Sequence, residues 1–532
     1  MAEKTFKIEN ILGGQSPTIF FRNEGQFLSS AGIDPDLAFP GSPFTNRASG
    51  AIAPIGYAAF SGAAVNGAPM WIITNPKNNL VYTYLASGRL ISYSSVLGSE
   101  TEIGTPTSGA GNGAVYYNNY IYLMTPTDVS RYGPLNGTPA LTNTVWTGAT
   151  LGTQTALNNT AYLSSGVSYP NHAAHVHTDN ALYFCDFVPN TGAAGNAGKG
   201  IIHKIKTIKV IDEGDTNDGS LYNALDLPFG YMPMDIESYG TDLAIVAIQT
   251  IDSTVHQGQS AMFLWDTISD SFYRQVPITD PLVSAIFNRN GRLHVFSGNS
   301  NNGFRVSQYL DGYSFQTLDF FEEGYSPFAG AVDGYGDRIT FGGVTTEPVN
   351  AAVAFSLGYK SPHLPPNARH VPVRTSSSSS ATGKAVTSLK YVTQASGIYP
   401  RIVIGYKDSY GSVLDKISGA ATSVFRSEIF VVERPFSISR IRIPLSDAVG
   451  ANTTIVPKLY FDNGTTTKTL ATINNTNYSG NRIVNYKAQE IEETATSGYN
   501  GQHNFFIEFT MSGSDNIHIL LPIEITVTIL DD

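Results

Sequence analysis

The sequence predicts an all-β protein with two domains, a β-propeller followed by a C-terminal β-sandwich or jelly-roll-like domain. Three observations lead to this prediction: a composition rich in strand and turn formers, a recurring hairpin pattern, and a serine-rich segment after which the pattern changes. Of the 532 residues only 14% are charged, well below the roughly 25% of an ordinary soluble domain. Gly (51), Tyr (29), Phe (28) and Pro (28) are abundant instead, and these residues favour tight turns and strands.

Residues 1–48 predict an irregular arm. Within it, residues 18–21 (Thr-Ile-Phe-Phe) are a candidate strand that would close the propeller by completing its last blade. The first residues carry no apolar signal segment, and no run of about 18 apolar residues occurs in the chain. We therefore expect synthesis in a host cytoplasm without a signal peptide, and no membrane span.

Residues 49–361 predict the propeller. Six times a polar turn precedes an alternating strand, which is typical of β-hairpins because Asn and Gly tolerate the positive φ angles of tight turns. The steps between equivalent turn residues are 40, 61, 62, 49 and 46 residues, a period typical of propeller blades. The sequence thus predicts six blades, and a seventh could lie within the long step between Asn119 and Asn180. The turn residues counted are Asn79, Asn119, Asn180, Asp242, Gly291 and Asp337.

The second half of a blade is visible in two of these periods. Residues 262–276 and 304–318 each contain two further strands around a polar turn. Two hairpins per period are what a four-stranded blade requires. Because such a blade cannot cover both of its apolar faces alone, we expect the blades to stack in a ring.

Residues 362–384 predict a linker between the two domains. The segment contains several prolines and five consecutive serines, at 376–380, and such a composition cannot form a packed core. Residues 385–532 then carry longer alternating strands, about eight of them, without the blade-like repeat. This pattern predicts the β-sandwich.

Three histidines, His172, His175 and His177, lie close together in the sequence. On a strand, the side chains of His175 and His177 point to one face, and two imidazoles at that spacing can ligate zinc. A third ligand and an orienting carboxylate would be needed, and histidines without a metal are the alternative that we favour. We expect no metal, and the alternative of a metal at these histidines stays open at this point.

Several propellers are glycosidases, which require paired carboxylates. The acidic pairs Asp34/Asp36 and Glu322/Glu323 lie in polar loop sequences that are typical of solvated turns. No nucleophile elbow, phosphate-binding loop or dinucleotide-binding fingerprint occurs. We therefore expect no catalytic residue and no cofactor, and a buried structural role for the only cysteine, Cys185.

The charge of the chain bears on its partners. The net charge is −11 and there is no long basic run, which argues against nucleic-acid binding through phosphate neutralisation. A low charge density allows copies to pack without self-repulsion, and tyrosines in the predicted loops suit contacts with glycans or proteins. We expect a homo-oligomer.

The whole plan consists of an irregular arm, a degenerate propeller, a serine-rich linker and a β-sandwich. Together with residues 11–16 (Ile-Leu-Gly-Gly-Gln-Ser) and 435–444 (Pro-Phe-Ser-Ile-Ser-Arg-Ile-Arg-Ile-Pro), this plan resembles the tail and virion-associated structural proteins of tailed bacteriophages. The resemblance implies a non-enzymatic virion protein, on the tail or capsid, that contacts other virion proteins and attaches to a host-cell glycan or protein. A glycosidase-like propeller enzyme and a glycan-binding lectin are the alternatives.

Overall fold

A computed structural model gives the fold of the chain as almost entirely antiparallel β-sheet, which confirms the predicted all-β class. The described part contains two short α-helices, α1 (Asn475–Tyr478) and α2 (Ala488–Glu492), and two single-turn 3-10 helices at Ala329–Ala331 and Asp462–Gly464. The residues that the structure describes are 2–9, 11, 14–15, 25–31, 51–52, 56–59, 68–76, 80–93, 100–106, 111–125, 128–146, 173–188, 198–205, 222–252, 255–256, 259–298, 303–312, 314–321, 326–335, 338–345, 351–358, 367–369, 386–392, 401–406, 409–414, 423–464, 466–492, 503–513, 515 and 517–529.

The chain divides into two compact units. The first, which we call the terminal unit, comprises Met1–Ala58, Val353–Ser380 and Val413–Asp532. The second, which we call the ring unit, comprises Ala59–Ala352 and Ala381–Ser412. Each unit is therefore discontinuous in sequence, whereas the sequence predicted one uninterrupted segment for each domain.

Six short strands precede the first large sheet. Two of them, near residues 14 and 26, pair in parallel, and the others pair with strands from much later in the chain. Their bounds are β1 (Glu3–Ile8), β2 (Gly14–Gln15), β3 (Gln26–Phe27), β4 (Ser29–Ala31), β5 (Ala51–Ile52) and β6 (Gly56–Ala59). The predicted closing strand at residues 18–21 lies outside the described residues.

The next strands form six antiparallel sheets in succession along the chain, and each sheet consists of four strands in sequence order. The fourth sheet also carries one short additional strand, β21 (Val255–His256). Sheet one contains β7 (Pro69–Thr74), β8 (Val81–Leu85), β9 (Leu90–Tyr93) and β10 (Glu100–Gly104); sheet two β11 (Gly113–Tyr117), β12 (Tyr120–Met124), β13 (Val129–Gly133) and β14 (Ala140–Trp146); sheet three β15 (Ala174–Val176), β16 (Leu182–Val188), β17 (Lys199–Ile205) and β18 (Tyr222–Asp226); sheet four β19 (Tyr231–Tyr239), β20 (Asp242–Asp252), β22 (Ser260–Trp265) and β23 (Arg274–Ile278); sheet five β24 (Leu282–Arg289), β25 (Arg292–Gly298), β26 (Phe304–Leu310) and β27 (Ser314–Phe321); sheet six β28 (Val332–Tyr335), β29 (Arg338–Thr345), β30 (Ala351–Gly358) and β31 (Asn367–Arg369).

A seventh four-stranded sheet combines strands from distant parts of the sequence. It contains β32 (Val386–Val392), β33 (Arg401–Tyr406) and β34 (Ser409–Leu414), with β6 as the fourth strand beside β34. The sequence interpretation placed residues 385–414 in the β-sandwich and looked for a seventh blade between Asn119 and Asn180. The sequence could not indicate this sheet for a physical reason, because hairpin patterns reflect local pairing and cannot show that β34 pairs with a strand near residue 57.

The ring unit owes its name to the contacts of the first strand of each sheet. In the order β7, β11, β15, β19, β24, β28 and β32, each first strand contacts the next, and β32 contacts β7. Apolar clusters join sheet one to sheet two, sheet two to sheet three, and sheet three to sheet four. A further cluster joins Ile72 and Val81 of sheet one to Val392 and Val403 of sheet seven. In a closed order each sheet has a neighbour on both of its faces, which allows both faces to be covered.

The predicted hairpin turns are confirmed where the structure describes them. Positive φ angles occur at the turns after β11, β15, β19 and β24. They are found at Asn118 (49°), Asn119 (67°), Asn180 (58°), Gly240 (64°), Asn290 (51°) and Gly291 (78°). The predicted turns at 78–79 and 336–337 lie outside the described residues.

The terminal unit contains two sheets that share one apolar core. The remaining strands are β35 (Ser423–Arg426), β36 (Phe430–Val431), β37 (Phe436–Pro444), β38 (Thr453–Phe461), β39 (Thr466–Thr469), β40 (Ile473–Asn474), β41 (Ile483–Lys487), β42 (Asn504–Gly513), β43 (Ile519–Leu520) and β44 (Ile523–Ile529). One sheet has the order β1-β44-β37-β41, and the other has the order β39-β38-β42-β35-β4, with β36 beside β42 and β40 beside β38. Along β38 buried and half-buried residues alternate, so one face of this strand covers the core.

Candidate functional site

The first strands of five consecutive sheets carry polar residues near their ends. His175 lies on β15, Glu237 on β19, Asn288 on β24, Asp333 on β28 and Lys390 on β32, and each is one of the last three residues of its strand. We call these five residues the central polar cluster. Because the first strands contact one another around the ring, side chains from separate sheets meet here.

A hydroxyl group connects two of the histidines at this site. Ser238 Oγ lies 2.7 Å from His175 Nε2 and 2.9 Å from His177 Nδ1, and His177 Nε2 lies 3.0 Å from the carbonyl oxygen of Thr241. The carbonyl can only accept, so Nε2 of neutral His177 donates to it and Nδ1 accepts from the Ser238 hydroxyl. The Ser238 oxygen then accepts from His175 Nε2. Burial lowers the pKa of both imidazoles, that of His175 to about 4, so both rings are neutral at pH 7.

Glu237 lies beside this chain of hydrogen bonds. Its Oε1 accepts from the backbone N–H of Ser238 at 3.0 Å and lies 3.4 Å from His175 Nε2. Burial raises the pKa of Glu237 to about 8; Lys390 opposes this rise and the negative charge of Asp333 adds to it. At pH 7 the Glu237 carboxyl is therefore mostly protonated, and its contact with neutral His175 is not an ion pair. The side chains of His175 and Glu237 are 23% and 18% exposed, so the pair is recessed but in contact with solvent.

Asp333 forms the charged part of the cluster with Lys390. Lys390 Nζ donates to Asp333 Oδ1 at 3.3 Å, and the backbone N–H of Tyr391 donates to Asp333 Oδ2 at 2.8 Å. These two hydrogen bonds join β28 to β32. Asp333 is mostly buried and Lys390 is partly exposed, so the lysine is the more accessible of the two groups.

A second carboxyl group on β19, Asp235, has a structural role. Its two oxygens accept from the backbone N–H groups of Ile236 and Ile286, both at 2.9 Å. The second of these bonds joins β19 to β24 beside an irregularity in the register of both strands. Burial raises the pKa of Asp235 well above its ordinary value.

Taken together, the cluster brings a neutral carboxyl, a neutral imidazole, an amide and a partly exposed lysine–carboxylate pair close to one another. Asn288 completes it, because its Nδ2 donates to the carbonyl oxygen of Ser238 at 2.6 Å. Such a set can hydrogen-bond a polar ligand. A protonated carboxyl near an ionised one can also transfer a proton to a ligand.

The structure describes only some of the candidate site residues that the sequence indicated. His175 and His177 meet at Ser238, whereas His172, the pairs Asp34/Asp36 and Glu322/Glu323 lie outside the described residues. Within the described ranges, no group of three or more His, Cys, Asp or Glu side chains is arranged to hold a metal ion. Cys185 is fully buried on β16, and burial raises the pKa of its thiol well above the ordinary value.

Sequence reasoning missed Glu237, Asp333 and Lys390. Each stands alone in its segment and resembles an ordinary strand-end charge. Their positions in the strands could have identified them, because all three residues are third from the end of the first strand of a sheet. That signal has meaning only when the order of the sheets around the ring is known.

Comparisons with known proteins add little to this description. No protein-family model matches the chain, and no curated protein matches it. Among solved structures, the chain is similar to the computationally designed Ika8 protein, at 10% identity with a TM-score of 0.36, over 67% of this chain and 99% of that chain. It is also similar to Saccharomyces cerevisiae Sqt1, at 10% identity with a TM-score of 0.40, over 69% of this chain and 99% of that chain. At these TM-scores the similarities identify neither a fold nor a function.

The described residues contain only short helices. None of their helices has the length and apolar character needed to cross a bilayer.

Proposed function

We propose that this chain is a non-enzymatic structural protein of a virus particle, carried on the tail or capsid, where it mediates subunit contacts and host-cell attachment. In this proposal the seven four-stranded sheets form a seven-bladed β-propeller, and the two sheets that share the core of the terminal unit form a β-sandwich. The closed order of seven first strands and the apolar clusters between neighbouring sheets support the propeller. The single core shared by two sheets supports the sandwich.

The observation that carries the attachment function is the central polar cluster. Five separate strands contribute donors and acceptors to one recess, and Glu237 and His175 keep about a fifth of their surface in solvent. These side chains are hydrogen-bonded within the protein, which offsets the cost of burying them, and the exposed surface of Glu237 and His175 leaves the cluster accessible to a ligand. A rigid ring with a polar recess is a binding scaffold.

Immunogold electron microscopy tests the virion assignment. Antibody raised against the recombinant chain is applied to purified particles and to a lysate of the source culture, with pre-immune serum as the control. We expect gold at one fixed place on the particle. Bare particles, with the label confined to soluble protein, would contradict the proposal.

A glycosidase is the second candidate, and one observation favours it. Glu237 is protonated at neutral pH, whereas the nearby Asp333 is paired with Lys390, and glycoside hydrolysis uses one carboxylic acid and one carboxylate. In this hypothesis Glu237 protonates the glycosidic oxygen, and Asp333 acts on the anomeric carbon directly or through water.

Release of nitrophenol from a panel of aryl glycosides tests the enzyme hypothesis. If the chain is a glycosidase, Glu237→Gln lowers the rate by about a hundredfold or more. The control is Asp270→Asn, which changes an exposed turn residue of the same sheet. Absence of hydrolysis by the unmodified chain rejects this candidate.

A further inference from the structure

An aromatic pair lies next to the charged part of the central polar cluster. The rings of Tyr335 and Tyr391 have centroids 5.9 Å apart and planes inclined by 32°. Tyr335 is 48% exposed, although large aromatic side chains usually bury most of their surface. The pair therefore presents an aromatic surface to solvent.

This aromatic surface is held in place by the same residues that build the cluster. Tyr335 follows Asp333 by two residues on β28, so the two side chains point to the same face of the sheet. The backbone of Tyr391 donates to Asp333, and its hydroxyl lies 2.6 Å from Thr340 Oγ1. Tyr391 is thus fixed at both ends, and the aromatic surface is preorganised beside the polar groups.

Resting on the proposed attachment function, we infer that the central polar cluster and the Tyr335–Tyr391 pair together bind an uncharged saccharide. A pyranose has an apolar C–H face and a rim of hydroxyl groups. The tyrosine pair can pack against the C–H face, and Asp333, Lys390 and Glu237 can form hydrogen bonds with the hydroxyl groups. An aromatic surface bordered by fixed donors and acceptors is the arrangement that such a ligand requires.

The charges of the cluster favour an uncharged sugar over an acidic one. Lys390 is the cation of the cluster, and Asp333 already accepts from it. A sialic or uronic acid carboxylate would have to compete with Asp333 for that lysine and would lie near the negative charge of Asp333. Like charges placed close together weaken binding, so acidic glycans are disfavoured.

A glycan array probed with the fluorescently labelled full chain tests this inference. The array contains neutral glycans ending in glucose, galactose, mannose, fucose or N-acetylglucosamine, and acidic glycans ending in sialic acid, uronic acid or sulfated sugars. We expect signal on neutral glycans and little on acidic ones. The affinity for the best neutral glycan is then measured by titration calorimetry.

Substitutions at the aromatic pair complete the test. Tyr335→Ala should weaken neutral-glycan binding about tenfold or more, because it removes the exposed ring of the pair. Tyr273→Ala is the matched control, since Tyr273 is similarly exposed (52%) and lies before the outermost strand of sheet four. Thermal unfolding of both variants confirms that they are folded.

Three outcomes would overturn the inference: no neutral glycan bound, stronger binding to acidic glycans, or equal affinity in Tyr335→Ala and the unmodified chain. Binding to a host protein with no glycan bound would also overturn it. These outcomes are separable from the virion assignment, because immunogold labelling of particles does not depend on the ligand of the ring unit.

Discussion

Replacing Glu237 with Gln should change how the stability of the chain depends on pH. The folded protein raises the pKa of this carboxyl from 4.5 to about 8, so the folded state holds the proton more tightly than the unfolded state. Between these two values the unfolded state binds fewer protons, and the free energy of unfolding falls as the pH rises. The contribution is therefore fully present below about pH 4.5 and lost by about pH 8.

The size of this loss follows from the same two pKa values. One pKa unit corresponds to about 1.4 kcal/mol, so the rise from 4.5 to about 8 sets an upper limit of about 5 kcal/mol. The Glu237 side chain is 18% exposed, and solvent screening keeps the measured value below this limit. For a folded domain as large as the ring unit, this upper limit corresponds to a fall of about 5–8 °C in the melting temperature of the unmodified chain between low and high pH. His175 has the opposite effect on the pH dependence of stability, because its lowered pKa destabilises the fold below pH 6.5. Since His175 is present in both the unmodified chain and Glu237→Gln, its effect cancels when the two are compared.

The measurement is thermal unfolding of the full chain at half-unit steps from pH 5 to pH 9, followed by tryptophan fluorescence. Gln keeps the acceptor for the Ser238 N–H and cannot ionise, so the melting temperature of Glu237→Gln should rise relative to the unmodified chain as the pH increases. Asp270→Asn, in an exposed turn of the same sheet, should follow the unmodified chain throughout. Parallel curves for Glu237→Gln and the unmodified chain would show that Glu237 is ionised in the folded protein and would refute the argument.

Three further predictions concern packing inside the ring unit. A Cβ on Gly200 would lie 2.4 Å from a carbonyl oxygen of the neighbouring first strand, so Gly200→Ala should cost about 2–4 kcal/mol of unfolding free energy, whereas Gly137→Ala, with its nearest atom at 3.5 Å, should be close to neutral in the same denaturant titration. Asp186 and His203 are fully buried and their side chains lie 3.0 Å apart, so Asp186→Ala should cost about 3–5 kcal/mol, and a loss below about 1 kcal/mol would contradict a paired role. Cys185 should react with a thiol reagent such as dithionitrobenzoate only after unfolding, because it is buried and its thiol pKa is raised; rapid reaction of the folded chain would show that β16 opens.

The local part of the fold could be predicted from the sequence. A hairpin is specified by neighbouring residues, and the Asn-Gly turn at Asn290 and Gly291 has the positive φ angles that its residue types favour. Strands β26 (Phe304–Leu310) and β27 (Ser314–Phe321) lie close to where alternation and the polar turn between them indicated. Period and turn chemistry act over a few residues, and the sequence displays both directly.

The division into units could not be predicted in the same way. The serine-rich segment looked like the clearest boundary, yet Ala381–Ser412 belongs to the ring unit and Met1–Ala58 groups with the C-terminal residues. Strand β1 pairs with β44 from Glu3↔Thr528 to Ile8↔Ile523. No local sequence pattern indicates a pairing partner so far away in the sequence. Long-range pairing depends on which apolar faces are left uncovered after the hairpins form, and this is a property of the whole chain.

The central polar cluster shows why the site was the least predictable feature. Five first strands each contribute a side chain to the cluster, and the neighbours of those side chains come from other sheets. Lys390 opposes the rise in the pKa of Glu237 although the two residues are far apart in sequence. The same geometry makes the site adaptable, because a substitution at a strand end changes the donors and acceptors of the recess while the apolar clusters between sheets stay intact. The exposed ring of Tyr335 can therefore be changed with little effect on stability. Lys390, which pairs with the mostly buried Asp333, and Asp235, which joins two first strands through backbone N–H groups, cannot be changed without loosening the ring itself.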